Sequence, residues 1–254
     1  MSPDVANSKS EPENAVVKIA RRLARDAGAL EFTTPSHVYN PLQYAWAAQR
    51  EYLERYGQKP GRVILLGMNP GPWGMAQTGV PFGDVTQVRE WFRIEAKLAR
   101  RLPEQHPKYP IMGMNCHRRE GSGTRLWGWA RERFGTPERF FARFFVWNYC
   151  PLLFIGNNRN MTPNQLRREE AVPLTDACDR ALALAAEALQ PQAVVGIGHY
   201  AETRAREVIG ERVPVSYLLH PSPANPMANR EWPERAERAL KPWLPPCCKR
   251  AAGK

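Results

Sequence analysis

The chain has 254 residues, enough for one large domain with a full hydrophobic core or for two small ones. Its 43% of hydrophobic residues is ordinary for a globular protein, and no apolar run approaches the ~18 residues that a membrane span requires. The net charge of +11 indicates an anionic partner, most simply nucleic acid, although a surface rich in arginine for other reasons would carry the same charge.

Composition distinguishes a central part of the chain from its two ends. Residues 1–14 are polar, lack the apolar segment of a secretory signal peptide, and are expected to form a disordered tail. Residues 15–246 contain no internal repeat or linker and are predicted to be one domain, and residues 247–254 form a basic tail. We therefore expect an intracellular protein, in the cytoplasm or nucleoid of a bacterium or in the nucleus of a eukaryote.

The cysteines predict free thiols. Their spacing is irregular and no CxxC pair occurs, so neither a zinc site nor an iron–sulfur cluster is expected, and we predict no metal and no other cofactor. Their odd number favours a reducing compartment. The cysteines are Cys116, Cys150, Cys178, Cys247 and Cys248.

Apolar periodicity predicts helices that alternate with strands along the chain. The predicted elements are a helix at 41–56, a strand at 62–68, a helix at 84–102, an irregular stretch at 105–122, a helix from 123, a strand at 144–148, a helix at 175–189, a strand at 193–198, a helix at 200–209, a strand at 215–219 and a helix at 233–240. Such alternation is typical of a parallel sheet with helices on both faces. The predicted fold is a three-layer α/β/α domain around four parallel strands.

Polar side chains stand at the ends of three predicted strands. Asn69 follows the first strand in a sharp Asn-Pro-Gly-Pro turn, Asn148 ends the second, and His220 follows the fourth between prolines. Each residue alone has a structural explanation, as a turn former or a packed imidazole. Together they would lie on one edge of the sheet, where ligands bind in open α/β folds.

The loop after Asn69 is rich in glycine and contains two aromatic residues, Trp73 and Phe82. It has neither a GxGxxG nor a GK[ST] pattern, so a phosphate-binding role is not indicated. The glycines favour close approach of the backbone to a flat ligand, and the aromatic rings offer stacking surfaces. The alternative is that both rings belong to the hydrophobic core.

Two further features have a functional and a plain structural interpretation. Cys150 follows a strand, but its neighbours Tyr149 and Pro151 do not form the small-residue elbow of nucleophilic hydrolases. The loop after His220 is interrupted by prolines and carries Met227, a residue type that can wedge into a nucleic-acid duplex. Its structural alternative is a helix-capping loop.

Five segments, in order, resemble the single-strand-selective monofunctional uracil-DNA glycosylases, a branch of the uracil-DNA glycosylase superfamily. The resemblance covers the chain from about residue 41 to 244 and implies the same four-stranded α/β/α fold. The segments are GMNPGPWGMAQTGVPFGDV (67–85), SGTRLWGW (122–129), FVWNYCPLLF (145–154), NRNMTP (158–163) and HPSPANP (220–226).

The resemblance implies hydrolysis of the N-glycosidic bond of a uracil flipped out of DNA. Asn69 would position the attacking water, and His220 would hydrogen-bond the uracil oxygen as negative charge develops. Asn148 would distinguish uracil from cytosine at the N3 and O4 edge. The remaining implied pocket residues are Phe82, stacked on the base, and Met68 and Gly71, whose backbone lines the pocket, with Gly71 leaving room for a 5-hydroxymethyl group.

The resemblance also implies a monomer that acts in the repair of single- and double-stranded DNA. The product would be an abasic site without strand cleavage, because no lysine in the motifs could form a Schiff base. Family members often have Arg where this chain has Ala224, so Arg230 or Met227 is a candidate for that contact with the opposite strand. The implied DNA-binding residues are Pro223, Ala224, Asn225, Pro226, Met227, Asn229 and Arg230. The alternatives are a non-catalytic single-strand binder that stacks bases on aromatic rings, and a thiol hydrolase using Cys150.

Overall fold

The computed structural model describes residues 14–246. The expected basic tail at 247–254 and the expected disordered tail lie outside the described residues, except for Asn14. Asn14 is the N-cap of the first helix, because its side chain accepts a hydrogen bond from the backbone N–H of Val16 at 2.9 Å.

Seven strands and ten α-helices make up the described part of the chain. The strands are β1 (His37–Tyr39), β2 (Val63–Gly67), β3 (Phe144–Asn148), β4 (Leu153–Gly156), β5 (Arg159–Met161), β6 (Ala193–Ile197) and β7 (Val215–Leu218). The helices are α1 (Ala15–Gly28), α2 (Pro41–Tyr44), α3 (Trp46–Tyr56), α4 (Met75–Thr78), α5 (Val85–Glu90), α6 (Gly121–Phe134), α7 (Pro137–Phe141), α8 (Arg168–Leu189), α9 (His199–Ile209) and α10 (Pro226–Leu240).

The predicted four-stranded parallel sheet is confirmed, with the strand order β3-β2-β6-β7. Every residue of β2, β3 and β6 is buried, as expected for strands covered on both faces. With this strand order, the right-handed crossovers typical of parallel sheets put α4 to α7, which follow β2, on the opposite face from α8 and α9, which lie between β3 and β7 in the chain. Because the chain leaves β2 and β3 toward opposite faces, a crevice is expected between their carboxyl ends.

A second, three-stranded antiparallel sheet, with the order β1-β4-β5, was not predicted from the sequence. Its strands have only three or four residues, and β1 pairs with a strand more than a hundred residues away along the chain. The β4–β5 hairpin turns at Asn157 and Asn158, which both have positive φ (49° and 59°), as a two-residue hairpin turn requires. This hairpin brings β5 to the carboxyl edge of the main sheet.

Several predicted helices have different limits in the structure. The helix predicted at 41–56 is interrupted at Ala45, and the carbonyl of Tyr44 instead accepts a hydrogen bond from the N–H of Ala99. The helix predicted at 84–102 ends at Glu90. There Arg93 adopts a positive φ of 54°, a left-handed conformation of the kind that ends helices and that usually falls to glycine.

Two helices begin earlier than predicted, and each continues through an internal proline. Helix α8 starts at Arg168 and passes through Pro173. Helix α10 starts at Pro226 and is kinked at Glu231, since Pro233 has no N–H to offer the carbonyl of Asn229. The prediction that 226–230 is a loop was therefore wrong: these residues form the first turn of α10.

Candidate active site

A cavity of about 350 Å³ lies at the carboxyl ends of β2 and β3. It brings together all six pocket residues that the sequence suggested: Met68, Asn69, Gly71, Phe82, Asn148 and His220. The side chains come from three separate segments of the chain, so the cavity depends on the complete parallel sheet.

Asn69 is held by one end of its amide. Its Nδ2 donates a hydrogen bond to the carbonyl of Leu152 at 3.1 Å, and Leu152 follows the end of β3. This bond orients the side chain and leaves Oδ1 as an acceptor at the partly open mouth of the cavity. Asn69 can therefore hold a small donor such as water, but an amide is a poor base.

Asn148 lies in the floor of the cavity with an unused hydrogen-bonding capacity. Its Oδ1 is buried and has no partner, and its Nδ2 contacts only the weak acceptor Sδ of Met75, at 3.2 Å. A buried amide without good partners costs free energy unless a ligand supplies them. Asn148 is thus prepared for a ligand that presents a donor beside an acceptor.

Gly67 makes the position of Asn148 possible, and its role was missed in the sequence. It pairs directly with Asn148 across the sheet, and a side chain at Gly67 would collide with Oδ1 of Asn148. Its Cβ would also lie 2.7 Å from the ring of Phe82. A glycine that ends a strand of large apolar residues was the available signal, since glycine in a strand often marks a close approach.

His220 is a neutral hydrogen-bond donor at the opposite wall. Its Nδ1 accepts a hydrogen bond from the N–H of Ser222 at 3.2 Å, which leaves the proton on Nε2. Desolvation by burial lowers the pKa of the imidazole to about 4. Gly198 lies beside His220 and has a φ of 91°, a backbone conformation that favours glycine.

Phe82 forms an aromatic wall of the cavity in a strained backbone conformation. Its φ of 54° is unfavourable for a non-glycine residue by about 1–2 kcal/mol. Its ring centroid lies 5.9 Å from that of His220. The turn is held by the Nε1–H of Trp127, which donates to the carbonyl of Pro81 at 3.3 Å. Strain of this kind concentrates at functional sites. Trp73, the other aromatic residue of this loop, packs against Tyr109 and does not line the cavity.

Five polar residues of the cavity wall were not identified from the sequence, among them Ser222, which follows His220 by two residues. Glu120 and Ser122 come from the start of α6, and Asn160 and Thr162 come from β5 and the residue after it. The helix prediction began two residues too late because Glu is not a preferred N-cap residue. The β5 residues were missed together with the antiparallel sheet.

The seven predicted DNA-binding residues lie together beside the cavity mouth, and we call residues 221–230 the wedge. Met227 is 52% exposed, an unusual state for a large hydrophobic side chain, and Ala224 and Arg230 are also exposed. Pro223 lines the cavity itself. The wedge thus continues directly from the pocket wall into solvent.

The wedge is anchored by a residue that the sequence did not reveal. Arg125 of α6 donates hydrogen bonds to the carbonyl of Pro221 at 3.0 Å and to Oδ1 of Asn229 at 2.6 Å. Asn225 caps α10 by accepting from the N–H of Met227 at 3.0 Å. One guanidinium therefore holds both ends of the wedge against the main domain.

The sulfur atom of Cys150 is not placed for nucleophilic catalysis. Cys150 is completely buried, and its Sγ points to the carbonyl of Leu152. Within residues 14–246 no group of three or more His, Cys, Asp or Glu side chains is arranged to hold a metal ion. In the same part of the chain, no helix has the length and apolar character needed to cross a membrane.

The chain matches the family model described as "Uracil DNA glycosylase superfamily" over residues 54–242. This match defines the class of protein to which the fold and the cavity belong. A crystal structure of SMUG2 from Pedobacter heparinus has a similar fold, with a TM-score of 0.60 and 16% identity over 88% of this chain and 97% of that chain.

Curated relatives identify the branch of the superfamily. "Single-strand selective monofunctional uracil DNA glycosylase" of Bos taurus is 46% identical over 207 residues, which are 80% of this chain and 76% of the relative. The protein of that name from Rattus norvegicus is 45% identical over 225 residues, 87% of this chain and 81% of the relative. The chain belongs to the family of single-strand selective monofunctional uracil-DNA glycosylases, and the resemblance seen in its motifs is confirmed.

Proposed function

We propose that this protein is a monofunctional uracil-DNA glycosylase of base-excision repair, which hydrolyses the N-glycosidic bond of uracil in single- and double-stranded DNA. The proposal is supported by one observation: the same cavity at the edge of the sheet is lined by Asn69, Asn148, Phe82 and His220. The partner is DNA, in agreement with the net charge of +11. We further propose that the protein acts as an intracellular monomer.

Recognition of the base depends on the free groups of Asn148. Its unpartnered Oδ1 would accept a hydrogen bond from N3–H of uracil, and Nδ2 would exchange Met75 for O4. Cytosine offers an acceptor at N3 and a donor at N4, so both contacts would become repulsive. Phe82 would stack on the face of the base, and the backbone at Met68 and Gly71 would border it.

Bond cleavage leaves an electron pair on the base. As the bond between N1 and C1′ breaks, uracil takes its electrons and C1′ becomes electron-poor. The Nε2–H of His220 would donate to O2, where negative charge develops. Because burial keeps this imidazole neutral, the donor is in place before the reaction and needs no proton from solution.

The attacking water would be held by Asn69. The bond from Nδ2 to Leu152 leaves Oδ1 to accept from water and direct its oxygen at C1′. Asn69 would position the water, but an amide is too weak a base to deprotonate it. Cleavage of the bond to the base must therefore be well advanced before water attacks C1′. The products are free uracil and an abasic site. Among the described residues, those that line the cavity include no lysine. Strand cleavage through a Schiff base is therefore not expected.

DNA engagement would fall to the wedge. Its exposed Met227 is suited to fill the space that a flipped nucleotide leaves in the stack, and Arg230 and Asn229 can contact the backbone. Pro223, Ala224, Asn225 and Pro226 would form the surface that enters the minor groove. With Ala at position 224, contact with the opposite strand would depend on Met227 and Arg230.

A direct test is incubation with an end-labelled oligonucleotide that contains one uracil, followed by alkali, which cleaves abasic sites. We expect a single cleavage product at the uracil after alkali and none before it, and no product from a thymine control. Activity should persist in EDTA and after thiol alkylation. A binder without catalysis would retain the oligonucleotide and yield no product, and a thiol hydrolase would be inactivated by alkylation.

A further inference from the structure

Glu120 is a titratable residue of the cavity to which the mechanism above gives no task. It caps α6, where its carboxylate accepts hydrogen bonds from the N–H of Ser122, at 3.3 Å, and from the N–H of Gly123. Among the described residues no Lys, Arg or His lies within ion-pair distance of it. Burial raises the pKa of this carboxyl above its usual range. A carboxyl group without a cation in a binding cavity requires an explanation beyond helix capping.

The position of Glu120 is fixed by the surrounding structure. Its backbone N–H donates to Oδ2 of Asp84 at 3.0 Å, and Asp84 also caps α5. A side chain at Gly74 would collide with the side chain of Glu120. A Cβ on Gly71 would lie 3.5 Å from Oε1 of Glu120. The absence of a side chain at Gly74 therefore lets the carboxyl group reach the cavity wall, and Gly71 borders it there at ordinary contact distance.

The orientation of the base shows what Glu120 would face. With O2 at His220 and the N3 and O4 edge at Asn148, the remaining edge of uracil carries C5 and C6. The cavity wall left for that edge includes Gly71 and, directly against it, Oε1 of Glu120. A substituent on C5 would extend over Gly71 toward this oxygen.

We propose that Glu120 determines which 5-substituted uracils the pocket accepts, favouring substituents that donate a hydrogen bond and opposing the 5-methyl group of thymine. This inference rests on the proposed function. Each carboxylate oxygen retains a lone pair beyond the one used by α6, so Oε1 can accept from the hydroxyl of a 5-hydroxymethyl group. A methyl group at the same place would remove water from the carboxylate and return no hydrogen bond, which is unfavourable.

The test is the ratio of single-turnover excision rates from oligonucleotides that contain uracil, 5-hydroxymethyluracil or thymine. Glu120→Ser keeps a side chain suited to cap α6 but withdraws the carboxyl group from the cavity. We expect the rate for 5-hydroxymethyluracil relative to uracil to fall by about ten-fold or more, the value of a hydrogen bond to a charged group. Thymine release relative to 5-hydroxymethyluracil should rise.

Two further variants separate specificity from folding. Glu120→Asp keeps the charge and the cap but is one methylene shorter, so its ratio should lie between those of wild type and Glu120→Ser. Thr136→Ala removes the cap of α7, which accepts from the N–H of Arg139 at 3.4 Å outside the cavity, and should leave the ratio unchanged.

Equal losses for uracil and 5-hydroxymethyluracil in the Glu120 variants would mean that Glu120 only caps α6, and would overturn the inference while leaving the proposed function intact. Excision of uracil but not of 5-hydroxymethyluracil by the wild type would overturn it in the same way. If the wild type releases no base at all, the proposed function fails, and this inference fails with it.

Discussion

The pocket and the wedge are built in different ways although they meet at Pro223. Pocket side chains such as Asn69 and Asn148 stand at the ends of strands whose register fixes them, and their partners come from distant parts of the chain. The wedge is exposed and is held mainly by short-range bonds and one anchor, Arg125. A rigid pocket suits a reaction that needs hydrogen-bond donors at fixed positions. An exposed wedge suits insertion into a DNA duplex that must be bent.

The largest effect should come from the donor to the leaving group. His220→Ala should reduce uracil excision on the order of 10²–10³-fold, since a donor to a developing oxyanion contributes roughly 3–4 kcal/mol. The loss should be smaller for 5-fluorouracil, whose electron-withdrawing substituent already stabilises the anion. Single-turnover rates for both bases in both proteins measure this. Equal losses would mean that His220 only shapes the loop through its bond with Ser222.

Asn148→Asp should reduce uracil excision by roughly 10²-fold. A carboxylate accepts from N3–H but cannot donate to O4, and it repels the forming anion. The matched control is Asn115→Asp, the same chemical change at an exposed residue that does not line the cavity, which should remain near wild type. Near-normal excision by Asn148→Asp would remove Asn148 from base recognition.

Substitutions in the wedge should have a smaller effect, and this effect should be on the affinity for DNA and not on the rate of the chemical step. Met227→Ala should weaken binding to uracil-containing duplex DNA by about three- to ten-fold, since it removes an exposed apolar side chain that can enter the stack. Single-stranded substrate should be affected less. Val172→Ala is the control, because Val172 is also an exposed hydrophobic residue, at 50%, and lies on α8. Equal losses on single and double strands would contradict a role in duplex entry.

The smallest expected effect is that of pH. Because burial lowers the pKa of His220 to about 4, the imidazole is neutral from pH 8 down to about 5, and its titration should not alter the excision rate there. The unfolded chain takes up that proton near its ordinary pKa of about 6.5, so His220 should reduce stability as the pH falls from 6.5 toward 4. A ring titration by NMR with a midpoint near 6.5 would contradict this picture.

The difference between the two regions also explains what the sequence could reveal. The strand at 144–148 was predicted with its observed limits, and the other three strands of the parallel sheet within one residue at either end, because buried apolar runs are interrupted by Gly, Pro or Asn. Asn69, Asn148 and His220 followed from those strand ends. Their common cavity could be inferred because parallel strands place their carboxyl ends together.

Other parts of the site depend on contacts that no local pattern encodes. Gly67 is needed only because Asn148 lies across the sheet from it, and Glu120 reaches the cavity only because Gly74 leaves room. Residues 226–230 of the wedge were expected to be a loop because Pro233 resembled a helix start, whereas these residues and Pro233 lie within the kinked helix α10. Such features are set by tertiary packing, which overrides local signals.

The most direct test of this account compares rate and affinity in Asn69→Ala on one uracil-containing oligonucleotide. Single-turnover excision, followed by alkaline cleavage, gives the rate, and fluorescence anisotropy gives the affinity. We predict a rate loss on the order of 10²-fold or more with binding close to that of the wild type, because in the proposed mechanism Asn69 holds the water while the wedge and the net positive charge of +11 favour DNA binding. Parallel losses of rate and affinity would show that Asn69 supports the structure of the pocket, and would contradict the division between a catalytic pocket and a binding wedge.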